Sequence, residues 1–420
     1  MKKISLILLF LFFVAPFSAA EDVVALEFDD NYKQHTLNIT RYEDEQPQDV
    51  ESELPEEAAI VVPSTDNIST PMTLQSGVFA GIKNAAEGIY KLPTDNLNSV
   101  TPLLSEQMTK HYESGPFEST HLWGVVQNTF DNMIPEGGNS YSKYDVNLIN
   151  IFLDTKTRDG KDLYRIMVSP THSHSRSFMQ NLFQDLYYET KRVPHHSILV
   201  GNSRVGIGIE GTQSAFTLPL LNRSQISRNF SNVRKRGLRI RGDYKYVDYD
   251  FGGYSSDTFF TEFLPGMEFN GWVNFKPLAN TNEKYGKISV GNGISAGKRD
   301  SIGYFVYGAG LQYDYKKFRA KVEYAIADGS NGATGLSNKR REGWDVLASY
   351  RLTKKLELLA RYDEFNPDKS KHSHNRREYT AGINYYLKGQ SLKLMLNYIF
   401  CQNEFRKNSH RILLGFQLAL

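Results

Sequence analysis

Ser391-Leu-Lys-Leu-Met-Leu-Asn-Tyr-Ile-Phe400 and Arg411-Ile-Leu-Leu-Gly-Phe-Gln-Leu-Ala-Leu420 decide the fold. In the first, Leu392, Leu394, Leu396, Tyr398 and Phe400 fall on one face, with Lys393 and Asn397 on the other. In the second, Ile412, Leu414, Phe416, Leu418 and Leu420 alternate with Arg411, Leu413, Gly415, Gln417 and Ala419. Strand side chains alternate between faces, so each stretch is a strand with one apolar and one mixed face. A soluble sandwich could supply two such strands. A soluble chain seldom ends so hydrophobically, and a transmembrane barrel needs the pattern in every strand.

The pattern does recur. Working back from the end, strands are read at Tyr379–Leu387, Leu356–Tyr362, Trp344–Leu352, Phe318–Ile326 and Tyr304–Tyr315. Further ones are read at Lys287–Gly291, Met267–Phe275, Val247–Gly253, Leu238–Tyr244, Ser197–Asn202, Gln184–Thr190, Leu163–Val168 and Tyr144–Leu153, with a weaker candidate at His121–Thr129. The expectation is an all-β, transmembrane antiparallel barrel of about 16 strands, the even count usual for bacterial barrels. The connections are expected to alternate. Short ones include Lys245–Tyr246, Lys316–Lys317 and Thr353–Lys355; long ones include Arg204–Gly237, Asn292–Gly303 and Ala327–Gly343. Short turns mark the periplasmic side and long loops the exterior, which places Leu420 at the periplasmic rim.

Alternation also sets the facing. Trp344, Val346, Ala348, Tyr350 and Leu352 would meet lipid, with Asp345, Ser349 and Arg351 in the lumen. Phe318, Ala320, Val322 and Tyr324 would point out, with Arg319, Lys321 and Glu323 inside. Reversing the sides would cost about 2–4 kcal/mol for each Arg or Lys near the bilayer midplane.

Lys2 and Lys3 precede an apolar run from Ile4 to Val14 and the small residues Ser18-Ala19-Ala20. Residues 1–20 are read as a secretory signal peptide. Residues 21–116 are read as an acidic, largely disordered periplasmic segment, and 117–420 as the barrel. Residues 1–70 hold 4 Lys and Arg against 14 Asp and Glu, leaving 45 of the 49 basic and 33 of the 47 acidic residues to the rest. A basic, exported body is expected to meet small anionic solutes and lipid, not nucleic acid. Mean hydropathy is −0.46, which a barrel tolerates because only alternate residues face lipid. The single cysteine, Cys401, excludes an intramolecular disulfide framework. The pairs His172/His174, His195/His196 and His372/His374 are read as loop and rim residues, with no metal site and no cofactor implied. No Gly-x-Ser-x-Gly marks a nucleophile, so no catalytic residue is named.

Three stretches resemble the phosphate-selective porin O and P family. They are Ser197-Ile-Leu-Val-Gly-Asn-Ser-Arg204 followed by Asn222–Phe230, Arg236–Gly242 leading to Tyr249-Asp-Phe-Gly-Gly253, and Ala360-Arg-Tyr-Asp363 followed by Tyr379–Leu387. The resemblance spans about residues 120–420 and implies a 16-stranded outer-membrane porin, usually a homotrimer, passing anions such as phosphate. It also implies that the third long loop, 204–237, folds inward and narrows the pore. That loop carries Arg223, Arg228, Arg234, Lys235 and Arg236, with Glu210 its only acid. Positive groups at a narrow point attract anions. Basic lumen candidates are Arg239, Arg241, Lys245, Lys276, Lys287, Arg319, Lys321, Arg351 and Arg361. Asp243, Glu323, Asp345, Glu357, Asp363 and Glu378 share their faces and could neutralise them. The competing reading is a non-conducting surface barrel acting as adhesin, receptor or anchor.

Overall fold

A computed structural model describes residues 99–170, 182–258, 262–281, 284–371 and 374–420. The leader over 1–20, the acidic segment up to residue 98, and His172, His174 and His372 lie outside these residues. Every described residue belongs to one compact unit.

Each apolar/polar alternation becomes a strand. In chain order they are β1 (Thr109–His111), β2 (Phe117–Pro135), β3 (Tyr141–Thr157), β4 (Asp162–Val168), β5 (Phe183–Thr190) and β6 (His196–Val205). Then come β7 (Val233–Asp243), β8 (Val247–Ser255), β9 (Met267–Phe275), β10 (Lys287–Arg299), β11 (Ile302–Tyr315) and β12 (Phe318–Gly332). The chain closes with β13 (Gly335–Arg351), β14 (Leu356–Asn366), β15 (Arg376–Lys388), β16 (Leu392–Asn403) and β17 (Ser409–Ala419). Each strand from β2 to β17 pairs antiparallel with the next, and β17 returns to β2 from Ser409 opposite Pro135 to Ala419 opposite Val125. The result is a closed 16-stranded barrel with no free edge. No described helix is long and apolar enough to cross a membrane.

The facing is inverted relative to a soluble protein. Val322 is 41% and Trp344 39% exposed on the outside, while Lys321 is 5% and Asp345 0% exposed within. Charge inside and hydrocarbon outside is the arrangement a lipid solvent selects.

One expectation is corrected. The connections read as long at Asn292–Gly303 and Ala327–Gly343 are mostly strand. β10 turns into β11 at residues 300–301, with Asp300 at φ 53°, and β12 into β13 at 333–334. These ribbons rise beyond the apolar belt, where outward residues such as Arg340 and Glu342 no longer advertise the alternation. The weak candidate strand His121–Thr129 is the core of the longest strand, β2. The described end of the 21–116 segment, residues 99–116, is mostly turns and bends around the short strand β1. β1 pairs with β2 from Thr109 opposite His121 to His111 opposite Ser119. The Leu103 amide donates to the Ala419 carbonyl at 3.1 Å, and Leu420 and Gly124 exchange backbone hydrogen bonds at 2.9 Å.

Candidate functional site

The connection between β6 and β7, residues 206–232, runs inside the barrel. Its apolar residues explain why. Ile207, Ile226 and Phe230 pack with the inward-facing Trp272, Val306, Ala325, Ala327 and Phe365. Leu220 packs with Leu347 and Leu359, and Leu221 with Met395, Ile399 and Leu413. Phe216 meets Trp123 and Phe152 edge-on, at 6.1 and 6.0 Å between ring centroids. An extracellular loop would leave these side chains in water; each that is fully buried gains about 1.5–3 kcal/mol.

Inward glycines make the seats. A Cβ on Gly415 would stand 2.4 Å from Leu221 Cδ2, and one on Gly308 would stand 2.2 Å from Ile207 Cγ2. Larger residues there would push the connection off the wall.

Polar contacts finish the docking. Two short helices form, α1 (Ile209–Thr212) and α2 (Gln225–Phe230), the latter capped by Ser224. Glu323 of β12 accepts from the backbone amides of Ile209 and Glu210. Asp363 accepts from the Gln225 amide at 2.7 Å, and Asn397 from the Leu221 amide at 2.9 Å. Arg361 donates to the Asn222 carbonyl at 2.9 Å, and Lys393 to that of Leu218 at 3.0 Å. The Lys321 ammonium lies 2.9 Å from Glu210, 2.5 Å from Glu323 and 3.2 Å from Asp345. Those three carboxylates have oxygens within 4.8 Å of one another, but the lysine already supplies their cation. Burial opposes the charge of Glu210, yet Lys321, Arg361 and Arg223 outweigh it and hold its pKa below the usual carboxylate range. Burial pushes Arg223 down to about 10.

The opposite wall is open. A cavity of about 150 Å³ is lined by Arg165, Arg204, Arg234, Arg239, Arg241 and Thr212, among others. A larger one of about 780 Å³ shares Arg239, Arg241 and Thr212 and adds Trp272 and Asn274. Four of the five arginines have acids: Arg165 with Asp154 at 2.6 Å, Arg234 with Asp185 at 2.6 Å, Arg239 with Asp250, and Arg241 with Glu189 at 2.5 Å. Arg204 donates to the Asn232 side chain at 2.7 Å and has no carboxylate partner among the described residues.

The sequence-derived basic residues therefore separate into groups. Arg234, Lys235 and Arg236 are not in the loop; they belong to β7, because the ladder with β6 continues out to Val205 opposite Val233. Of the three, Arg234 lines the open cavity. Lys235 is buried against Glu268, and Arg236 reaches Asp257 at 2.9 Å on the β8–β9 connection. Arg223 and Arg228 brace the connection itself, Arg223 through the Glu210 and Gln213 carbonyls and Arg228 through Glu378 at 2.7 Å. Lys321 and Arg361 lie beneath it, and Arg319 lines a third cavity of about 290 Å³. Arg239 and Arg241 face the open side. Lys245 is in the turn between β7 and β8, over the Tyr246 ring, and not in the lumen. Lys276 sits in the β9–β10 connection against Asp243 and Asp248. Arg351 ends β13 at the rim, hydrogen-bonding the Lys354 carbonyl. Of the acids that share these faces, Glu323 and Asp345 pair with Lys321, Glu378 with Arg228, Asp363 with Arg361 and Asp243 with Lys276, while Glu357 accepts from the Tyr386 hydroxyl at 2.6 Å. Arg165 and Arg204 were missed. The alternation Leu163, Arg165, Met167 was the available signal for the first; Arg204, at the last turn of a strand, offered none.

A protein-family model described as phosphate-selective porin O and P matches residues 279–419, which is β10 to β17 with the turn before them. Solved porins share the fold across the whole barrel. An anion-selective porin from Comamonas acidovorans is 12% identical, covering 72% of this chain and 99% of its own, with a TM-score of 0.54. OmpF of Salmonella typhi, in complex with daunomycin, is 13% identical over 74% and 99%, with a TM-score of 0.56. The outer-membrane channel DcaP of Acinetobacter baumannii is 13% identical over 74% and 99%, with a TM-score of 0.52. No curated protein sequence matches. The likeness to these outer-membrane porins is one of fold: a closed antiparallel barrel of the same size.

Proposed function

We propose that the protein is a water-filled channel for passive diffusion of small solutes, narrowed by residues 206–232 and favouring small anions, phosphate among them. The observation that carries the anion preference is Arg204, one of five arginines that line one cavity and without a carboxylate partner among the described residues. Fixed positive charge in a narrow, low-dielectric passage attracts anions and repels cations. One fold relative is itself an anion-selective porin. Because the other four arginines are paired, the preference is modest and general, not a strict phosphate filter. The same reading includes export by the leader at 1–20 and assembly as a homotrimer in outer-membrane lipid. Refolded protein in a planar bilayer under a potassium chloride gradient tests it: the reversal potential is expected on the chloride side. A potassium-favouring value would defeat it.

A further inference from the structure

We infer that Thr212 is the residue past which every solute must move, and that the passage is eccentric, confined between the inner connection and the wall from β3 to β12. The inference rests on the channel reading. The β13–β17 side is closed by packing: Leu218 and Leu220 are 3%, Ile226 5% and Phe230 6% exposed. On the other side, three cavities of about 780, 290 and 150 Å³ meet the connection, and Thr212 lines all three. Its side chain is exposed although it stands inside the barrel.

Thr212 is also held still. Its hydroxyl donates to the Ile209 carbonyl at 3.0 Å. The other end of that turn hangs from Glu323, and Glu210 is fixed to Lys321. A group anchored this way sets a size limit that thermal motion of the loop does not erase.

The chemistry is one-sided. The only acid of the connection, Glu210, is turned into the packed wall, so Thr212, Gln213 and Ser214 offer hydroxyls and an amide to the passage. Charge comes from the wall alone, through Arg204, Arg239 and Arg241. A solute is thus sized against Thr212 while its charge is read on the opposite side.

Thiol labelling tests this. Cys401 is half-buried and is first removed as Cys401→Ser. In that background Thr212→Cys and, on the packed side, Leu221→Cys are treated with a small sulfonate-bearing methanethiosulfonate during single-channel recording. The Thr212→Cys current is expected to fall about twofold or more, because added bulk and negative charge sit in the passage, and the Leu221→Cys current to stay unchanged. Thr212→Trp is expected to lower the current without any reagent. Open channels that keep full current in both Thr212→Cys after treatment and Thr212→Trp would overturn the inference, whether or not mass spectrometry finds the thiol labelled. Absence of open-channel steps from the untreated parent would instead overturn the channel reading beneath it.

Discussion

The Nζ of Lys321, on β12, lies 2.9 Å from Oε2 of Glu210, on the connection that springs from β6. One wall of the barrel thus grips a segment that begins on another. The grip is dry, with side chains 6% and 5% exposed. Breaking such a pair by removing one partner leaves uncompensated buried charge. Lys321→Met keeps the volume and removes the cation from Glu210, Glu323 and Asp345 together. Docking of residues 206–232 is expected to weaken by about 3–5 kcal/mol. Faster hydrogen exchange at the Ile209 and Glu210 amides, with the strand ladders unchanged, would report it.

Arg204 and Lys245 separate lumen charge from rim charge. Arg204→Gln is expected to move the salt-gradient reversal potential most of the way to zero. Lys245→Gln, in an exposed turn, is expected to leave it where it was. Equal effects of the two would mean that selectivity is set at the mouth.

The Gly415 seat gives a steric prediction. Gly415→Val places new carbon against Leu221 and is expected to cost about 1–3 kcal/mol through overpacking. The connection shifts, so open-channel current becomes noisier. Gly253→Ala, whose Cβ would meet nothing within 4 Å, is the matched control and is expected to be silent.

Acid should act on the same contact. The pKa of Glu210 is lowered in the folded chain relative to its ordinary 4.5. The unfolded chain therefore takes up this proton first as pH falls. The stabilisation from Glu210 is complete above about 4.5 and is lost only as pH drops through the lower folded value. Channel current is expected to be steady from pH 8 to 5 and to grow unstable well below 4.5. Glu210→Gln is expected to be unstable already at neutral pH, and a Glu210→Gln current as steady as that of the wild type would contradict the assignment.

The lipid belt made most of the fold legible. It acts on every strand, so Leu394, Leu396 and Tyr398 are spaced as they must be, and all three are exposed in the structure. Outside the belt that constraint ends. The upper ribbons of β10–β11 and β12–β13 looked like loops because their hydrogen-bond ladders leave no hydropathy trace. The inner connection was expected from a resemblance. Its own signal lay in two halves: Leu218, Leu220 and Leu221 in a nominal loop, and Leu347, Leu359 and Leu413 on faces read as polar. Neither half means much until the two are seen to touch. The basic residues were found in the right region but not in their roles, because a charge in sequence does not name its partner. Lys321 and Arg361 serve the loop, while Arg204 was passed over.

Single-channel conductance of the wild-type chain, set beside a variant whose residues 206–232 are replaced by a short turn, tests the central claim most directly. The wild type is expected to show discrete open steps, and the shortened variant larger ones with a weaker chloride preference. A wild-type barrel that never conducts, or a shortened one whose steps match the wild type, would contradict a channel narrowed by its third long connection.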